Sequence, residues 1–358
     1  MKYHSTLKNR IIRLFVFLLG LAVLLLCNNH ILTEKTAKKT IYSLRYEPKN
    51  TVDIVFMGNS HANQAFLPME LWDEYGYTAY SMTMMSQTFP LVYYCAEDAI
   101  KLQQPEVLVV DLFAATSFSN DFDNMHKTVD NLTFLTRMKA IREFVPEEKK
   151  TEYMIPLYLY HDRWDELEIK DFVPYFIRYT PMQNARKGVT LASGHTPCRK
   201  PEKAIEYAYN GECSELSEEA LYWYNRLKEL CQSTDTQLLF IVVPYESPVG
   251  STEEATINNM KLFNATEQWC AENGVGYLNL FRNIDEMGFD FETDLADVSH
   301  LNILGAEKVT DLVGSYLFSN NDLVDHRANK KICDKWDAYY QRYCAERDRA
   351  ISACGGVQ

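Results

Sequence analysis

The chain has 358 residues, 47% hydrophobic and 24% charged, which excludes a disordered chain and allows one large domain or two small ones. The formal net charge is -13, and seven basic residues face a single acid within positions 1–41. The remaining 29 basic and 48 acidic residues leave the body at -19, which opposes partnership with nucleic acid or close contact with an anionic bilayer.

Leu14 to Thr33 contains no Asp, Glu, Lys or Arg, and its apolar heart is Leu14 to Cys27. Twenty helical residues at ~1.5 Å each span about 30 Å, one hydrocarbon core. Lys2, Lys8, Arg10 and Arg13 precede it and favour a cytoplasmic N-terminus, whereas Lys35, Lys38 and Lys39 follow it and reduce that bias. A cleaved signal peptide is the competing reading. Against it, Cys27-Asn28-Asn29-His30 offers no small-x-small site, and Leu24, Leu25 and Leu26 before Cys27 disfavour lipid attachment. Residues 1–33 are therefore expected to be an uncleaved signal anchor. The expected location is the cell membrane, crossed once, with the body extracytoplasmic.

After a polar linker (34–50), strand and helix signals alternate. Strands are expected at 51–57, 78–82, 106–113, 237–244 and 275–281. Helices are expected from Ser60 to Tyr75 and at 91–102, 215–232, 254–273 and 302–318. Near-continuous apolar strands alternating with helices imply a parallel α/β sheet with helices on both faces. Residues 114–214 break this rhythm; rich in aromatics and poor in strand signal, they read as a mainly helical insertion, either beside the active face or peripheral to it. Residues 322–358 read as a C-terminal helix, with Ile332, Trp336, Tyr340 and Tyr343 in a stripe that should pack on the 51–321 domain.

The nine cysteines contain no CxxC pair, so metal ligation is poorly supported, and no cofactor is expected. Cys198 and Cys213 flank a polar loop at a spacing compatible with a disulfide.

Two places concentrate chemistry. In Asp53-Ile-Val-Phe-Met-Gly-Asn-Ser60-His-Ala-Asn63, a buried strand ends in Gly and a Ser opens the next helix. At the C-terminal edge of a parallel sheet, that Ser lies in the ligand crevice. It is either a helix N-cap or a nucleophile. A Ser nucleophile needs a base, and His300 has the best context among the eight histidines. It follows the last strand in Asp297-Val-Ser-His300-Leu-Asn-Ile-Leu-Gly-Ala, where Asp297 can bend back to orient it.

Gly-Asn-Ser60 after the first strand, with Asp297-x-x-His300 before the last helix, resembles the SGNH/GDSL hydrolase superfamily. His300-Leu-Asn-x-x-Gly-Ala is similar to the branch of extracytoplasmic alginate and peptidoglycan O-acetylation proteins and the D-alanyl-lipoteichoic-acid transfer protein. The resemblance implies a three-layer flavodoxin-like fold and a Ser60–His300–Asp297 triad. It also implies a substrate among acylated cell-envelope polysaccharides or acyl donors, and a membrane-bound O-acyltransferase as partner. His161-Asp-Arg163-Trp164 is similar to a stretch in bacterial members, and could form a polar-aromatic substrate patch.

The departures lie in the oxyanion hole. The family's second block carries a Gly; here the stretch is Tyr80-Ser-Met-Thr-Met-Met-Ser86-Gln87, leaving a main-chain N–H near Ser86 as the candidate donor. The third block's Gly-x-Asn-Asp is replaced by Asp111-Leu-Phe-Ala. Asn63 and Asp111 are further candidates for lining the crevice, and His61 is expected to be structural. The expected function is a serine esterase or O-acyltransferase; the alternative is an inactive accessory protein that binds envelope glycan or a membrane acyltransferase.

Overall fold

Five short apolar runs become five parallel strands. The computed structural model describes residues 2–35, 40–118 and 122–355; Lys38 and Lys39, residues 119–121 of the insertion and the last three residues lie outside them. In chain order the elements are α1 (Lys2–Leu32), β1 (Ile54–Gly58), α2 (Ser60–Ala65), α3 (Pro68–Tyr75), β2 (Ala79–Thr83), α4 (Phe89–Gln103) and β3 (Val107–Asp111). The insertion supplies α5 (Phe122–Val129), α6 (Phe134–Glu143), α7 (Lys150–Met154), α8 (Pro156–Leu159), α9 (Tyr175–Arg178) and α10 (Glu202–Asn210). Then come α11 (Glu218–Gln232), β4 (Gln237–Val242), α12 (Glu253–Asn273), β5 (Gly276–Asn279), α13 (Ile284–Met287), α14 (Ile303–Asn320) and α15 (Lys330–Cys354).

The sheet order is β2-β1-β3-β4-β5, every pair parallel. Alternate strand residues feed two separate cores, because successive side chains leave a strand in opposite directions. Val55, Met57, Leu108, Val110, Phe240 and Val242 join α4, α11 and α12. Ile54, Phe56, Val107, Val109, Leu239 and Ile241 join α2, α3 and α14.

Several boundaries differ from the sequence expectation, among them the first strand, which starts at Ile54, the fourth, which ends at Val242, and the fifth, which ends at Asn279; two differ for clear local reasons. The helix expected from Ser60 to Tyr75 is split, because Pro68 holds Leu67 extended and starts a new helix at its own position. The third strand ends at Asp111 rather than residue 113. The Asp111 carboxylate accepts from the Phe113 N–H (3.4 Å) and turns Leu112–Thr116 into a 3-10 helix.

The insertion is helical in short pieces, but no helix or strand lies between Arg178 and Glu202. That stretch covers the β2 edge instead: Ser81 N–H donates to the Lys187 carbonyl (2.8 Å), which masks an edge open to pairing. The Lys187 side chain is fully buried, 2.8 Å from the Glu47 carboxylate, with its ammonium 3.8 Å from the Tyr339 ring centre and 4.6 Å from that of Trp336. One ion pair thus joins the linker, the insertion and α15. On α15, Trp336 and Tyr343 are buried, and the Trp72 indole donates to Asp337 (3.0 Å).

α1 is longer than the expected apolar segment. Its Leu7–Leu32 stretch is long and apolar enough to cross a membrane, with no part of that window buried in the protein. Cys198 and Cys213 do not pair; each thiol donates to a nearby carbonyl, those of Thr196 and Gly211.

Candidate active site

The chain leaves β1 toward β2 on one side and returns to β3 on the other, so the topological switch falls at the β1 and β3 ends, where parallel sheets hold ligands. Gly58 ends β1 there with φ +143°. A Cβ on it would stand 2.9 Å from that of Ala62 and 3.2 Å from that of Asp111, so only glycine lets the three meet. Asn59 then caps α2, its side-chain oxygen accepting from His61 N–H (3.1 Å), and Ser60 opens the helix. Because α2 has only six residues, its dipole adds little to the site.

His300 arrives from the other end of the chain. Its loop is closed by a bridge between Leu295 and Leu301 and is held by the Asn302 cap of α14. Asn302 Oδ1 accepts from the N–H groups of Leu304 (3.0 Å) and Gly305 (3.1 Å), while its Nδ2 donates to the Thr293 (2.7 Å) and Gly194 (3.0 Å) carbonyls. Such a cap is worth about 0.5–2 kcal/mol. A Cβ at Gly305 would lie 2.3 Å from the Asp294 carbonyl, so the glycine lets α14 press onto this loop. The Leu-Asn-x-x-Gly run after His300 is thus a device for setting the imidazole.

The two halves meet. Ser60 Oγ lies 2.8 Å from His300 Nε2, and His300 Nδ1 lies 2.9 Å from both Asp297 carboxylate oxygens. Asp297 Oδ1 also accepts from the N–H groups of Ser299 (2.8 Å) and His300 (3.1 Å), which fixes the carboxylate under the ring. The His300 side chain is 16% exposed and that of Asp297 51% exposed, so the site opens to solvent. A cleft of about 230 Å³ adjoins Ser60, with Met84 and Met85 on one side and Glu34, Thr40 and Lys127 also along it.

His61 is buried beside the pair. Its Nε2 shares a hydrogen bond with Ser299 Oγ (2.9 Å), and its ring stacks on Phe113 with centroids 3.5 Å apart. Burial, with His300 nearby, drives its pKa well below the usual imidazole value, so it stays neutral. It therefore braces the 297–300 loop without adding a charge against a protonated His300.

The other expected site residues scatter. Asn63 borders the cleft but spends its amide on Thr83 Oγ1 (2.8 Å) and the Gly188 carbonyl (3.1 Å). Ser86 is exposed, at φ +55° in the turn from Met84 to Gln87 that follows β2. That is the left-handed conformation glycine adopts most readily, so Ser86 takes the backbone role that a glycine would fill. Gln87 is buried, with Nε2 reaching Cys95 Sγ (3.0 Å) and Thr128 Oγ1 (3.4 Å). Arg163 donates to the Leu32 carbonyl at the C-terminal end of α1, His161 Nδ1 bonds the Tyr158 carbonyl (2.7 Å), and Trp164 is exposed, so the three do not form one patch at Ser60. Sequence reading missed Met84, Met85 and Lys127, since nothing local marks a residue that only borders a cleft.

Asp111 is 1% exposed, and one carboxyl oxygen finds no protein partner. Burial pushes its pKa up to about 7, against the N–H groups of Phe113 and Val243, which favour the charge. A folded pKa above the unfolded 3.8 means the folded state holds the proton more tightly. Its contribution is complete below about pH 4 and is lost as pH rises to about 7, at up to ~1.4 kcal/mol per pH unit. Asp111→Asn should therefore flatten the pH dependence of stability between about pH 4 and 7, read as Tm in detergent. An unchanged slope would show that Asp111 is not the titrating group.

No family model matches the chain, and no curated protein matches it.

Proposed function

We propose that the chain is a serine esterase or O-acyltransferase of the SGNH type, with a three-layer flavodoxin-like fold, anchored by α1 with its domain outside the cell membrane. The observation that carries this reading is the Ser60–His300–Asp297 chain of hydrogen bonds at the sheet's switch point. The Leu-Asn-x-x-Gly run and the two cores fed by alternate strand residues support the fold and the family.

Ser60 Oγ attacks an acyl carbonyl carbon while His300 Nε2 takes its proton, and Asp297 holds the ring and stabilises the imidazolium. Collapse of the tetrahedral intermediate expels the alcohol oxygen, which receives that proton from His300. The acyl–Ser60 ester is then attacked by water or a sugar hydroxyl, with His300 again the base and then the acid, and Ser60 is regenerated. Acyl groups of cell-envelope glycans are the substrate class, and a membrane-bound O-acyltransferase is the partner that supplies or receives them.

A fluorophosphonate probe tests the enzyme reading. The wild-type chain should label at Ser60 and Ser60→Ala should not. Folded wild type that fails to label would favour an accessory protein with an unused triad.

A further inference from the structure

The insertion carries a run of exposed apolar side chains, Trp164, Ile169, Phe172, Phe176 and Ile177 among them. A soluble surface rarely leaves so many large apolar groups together. The Ile169–Phe172 segment packs along α1. Phe172 shares a groove with Val23, Leu26, Cys27 and Ile31 of that helix. Val23 is nine residues from the helix's end, about 13 Å along its axis. Any 20-residue membrane window within Leu7–Leu32 includes Val23 and Leu26, so Phe172 sits beside helix surface that faces hydrocarbon.

The insertion is also fastened to the helix exit. Lys35 and Asp171 form a buried ion pair (3.3 Å), the Tyr179 hydroxyl donates to the Lys35 carbonyl (3.2 Å), and the His30 and Tyr175 rings pack with centroids 4.4 Å apart. The apolar face cannot swing away from the membrane without breaking these contacts.

We infer that residues 164–177 form a second membrane contact, a shoulder that lies in the outer-leaflet interface against α1 and is covered by lipid. Continuity with the membrane surface of α1 identifies the occupant as the bilayer. Lys170, in the same stretch, is exposed and paired with Glu168 (2.7 Å), and Trp164 is an interfacial residue type. The shoulder would hold the body at one height and tilt above the bilayer. It goes beyond the proposed chemistry and rests only on the proposed span and orientation of α1.

The test uses the full chain in nanodiscs of zwitterionic lipid with brominated acyl chains. Among the five tryptophans Trp164 is the exposed one, so Trp164→Phe gives a background of buried indoles. Into it are placed Phe172→Trp and Phe176→Trp singly, with Leu18→Trp on α1 and Phe318→Trp as references. Phe318 is exposed near the N-terminal ends of the strands, where Asn321 bonds Gln237 at the start of β4. Each variant is used only if its Tm matches the background chain.

The added tryptophans at 172 and 176 should lose most of their emission to brominated lipid, as should the one at 18, while that at 318 keeps its own. Quenching at 18 without quenching at 172 and 176 overturns the shoulder and leaves the face for a protein partner. No quenching at 18 overturns the spanning helix as well.

Discussion

Replacing His300 with alanine should slow ester hydrolysis or transfer through Ser60 by about 10⁶-fold with little change in Tm. The size follows from the geometry. His300 Nε2 is the base within reach of Ser60 Oγ, and neutral, buried His61 is engaged with Ser299. A serine without a base is a poor nucleophile, so the whole activation term goes at once. Combining His300→Ala with Ser60→Ala should add almost nothing, because the two act as a unit. Asp297→Asn should cost less, below about 10⁴-fold, since half of that side chain faces water and bulk solvent replaces part of its effect. Turnover of an activated aryl ester by the purified full chain gives the measurement. A loss smaller than tenfold for His300→Ala would mean that the hydrogen-bonded triad is not the catalytic device.

Glu47→Ala should destabilise the chain by about 3–5 kcal/mol, the usual cost of leaving one member of a buried ion pair alone. Lys187 is fully buried, and burial already holds its pKa below the ordinary lysine value even with Glu47 in place. Without Glu47 the ammonium keeps only the faces of Tyr339 and Trp336, whose attraction offsets about 2 kcal/mol at best. Glu47→Ala with Lys187→Met should recover most of the loss, because an apolar chain of similar length fills the same space without charge. Thermal unfolding of the three proteins decides it. If the single variant melts with wild type, the pair is not holding the linker, insertion and α15 together.

What could be read in advance was whatever is local. Gly58-Asn-Ser60 directly ends an apolar strand and Asp297-x-x-His300 lies in the loop between the last strand and α14, so the chain order of elements was enough to bring them to one edge. The shared edge needed no knowledge of strand order. Contacts across long separations left no such mark. Glu47 and Lys187 look like surface charges in sequence, and their burial depends on how an irregular stretch folds over β2. His161-Asp-Arg163-Trp164 has the composition of a binding patch, yet its surroundings are set by the end of α1 more than a hundred residues earlier. Pro68 was the one local signal open to reading that the expected Ser60–Tyr75 helix ignored.

The 240 residues between Ser60 and His300 also have a consequence in time. β1 and Ser60 leave the ribosome early, but His300, the proposed base, lies on a loop held by α14, which emerges after all five strands. Thr310 on α14 accepts the Leu67 N–H (3.0 Å), tying the late helix to the segment just after Ser60. Until that clasp closes, the serine is an ordinary alcohol. If the proposed chemistry holds, a chain caught partway through synthesis or membrane insertion is chemically silent, and reactivity switches on only in a domain that is complete.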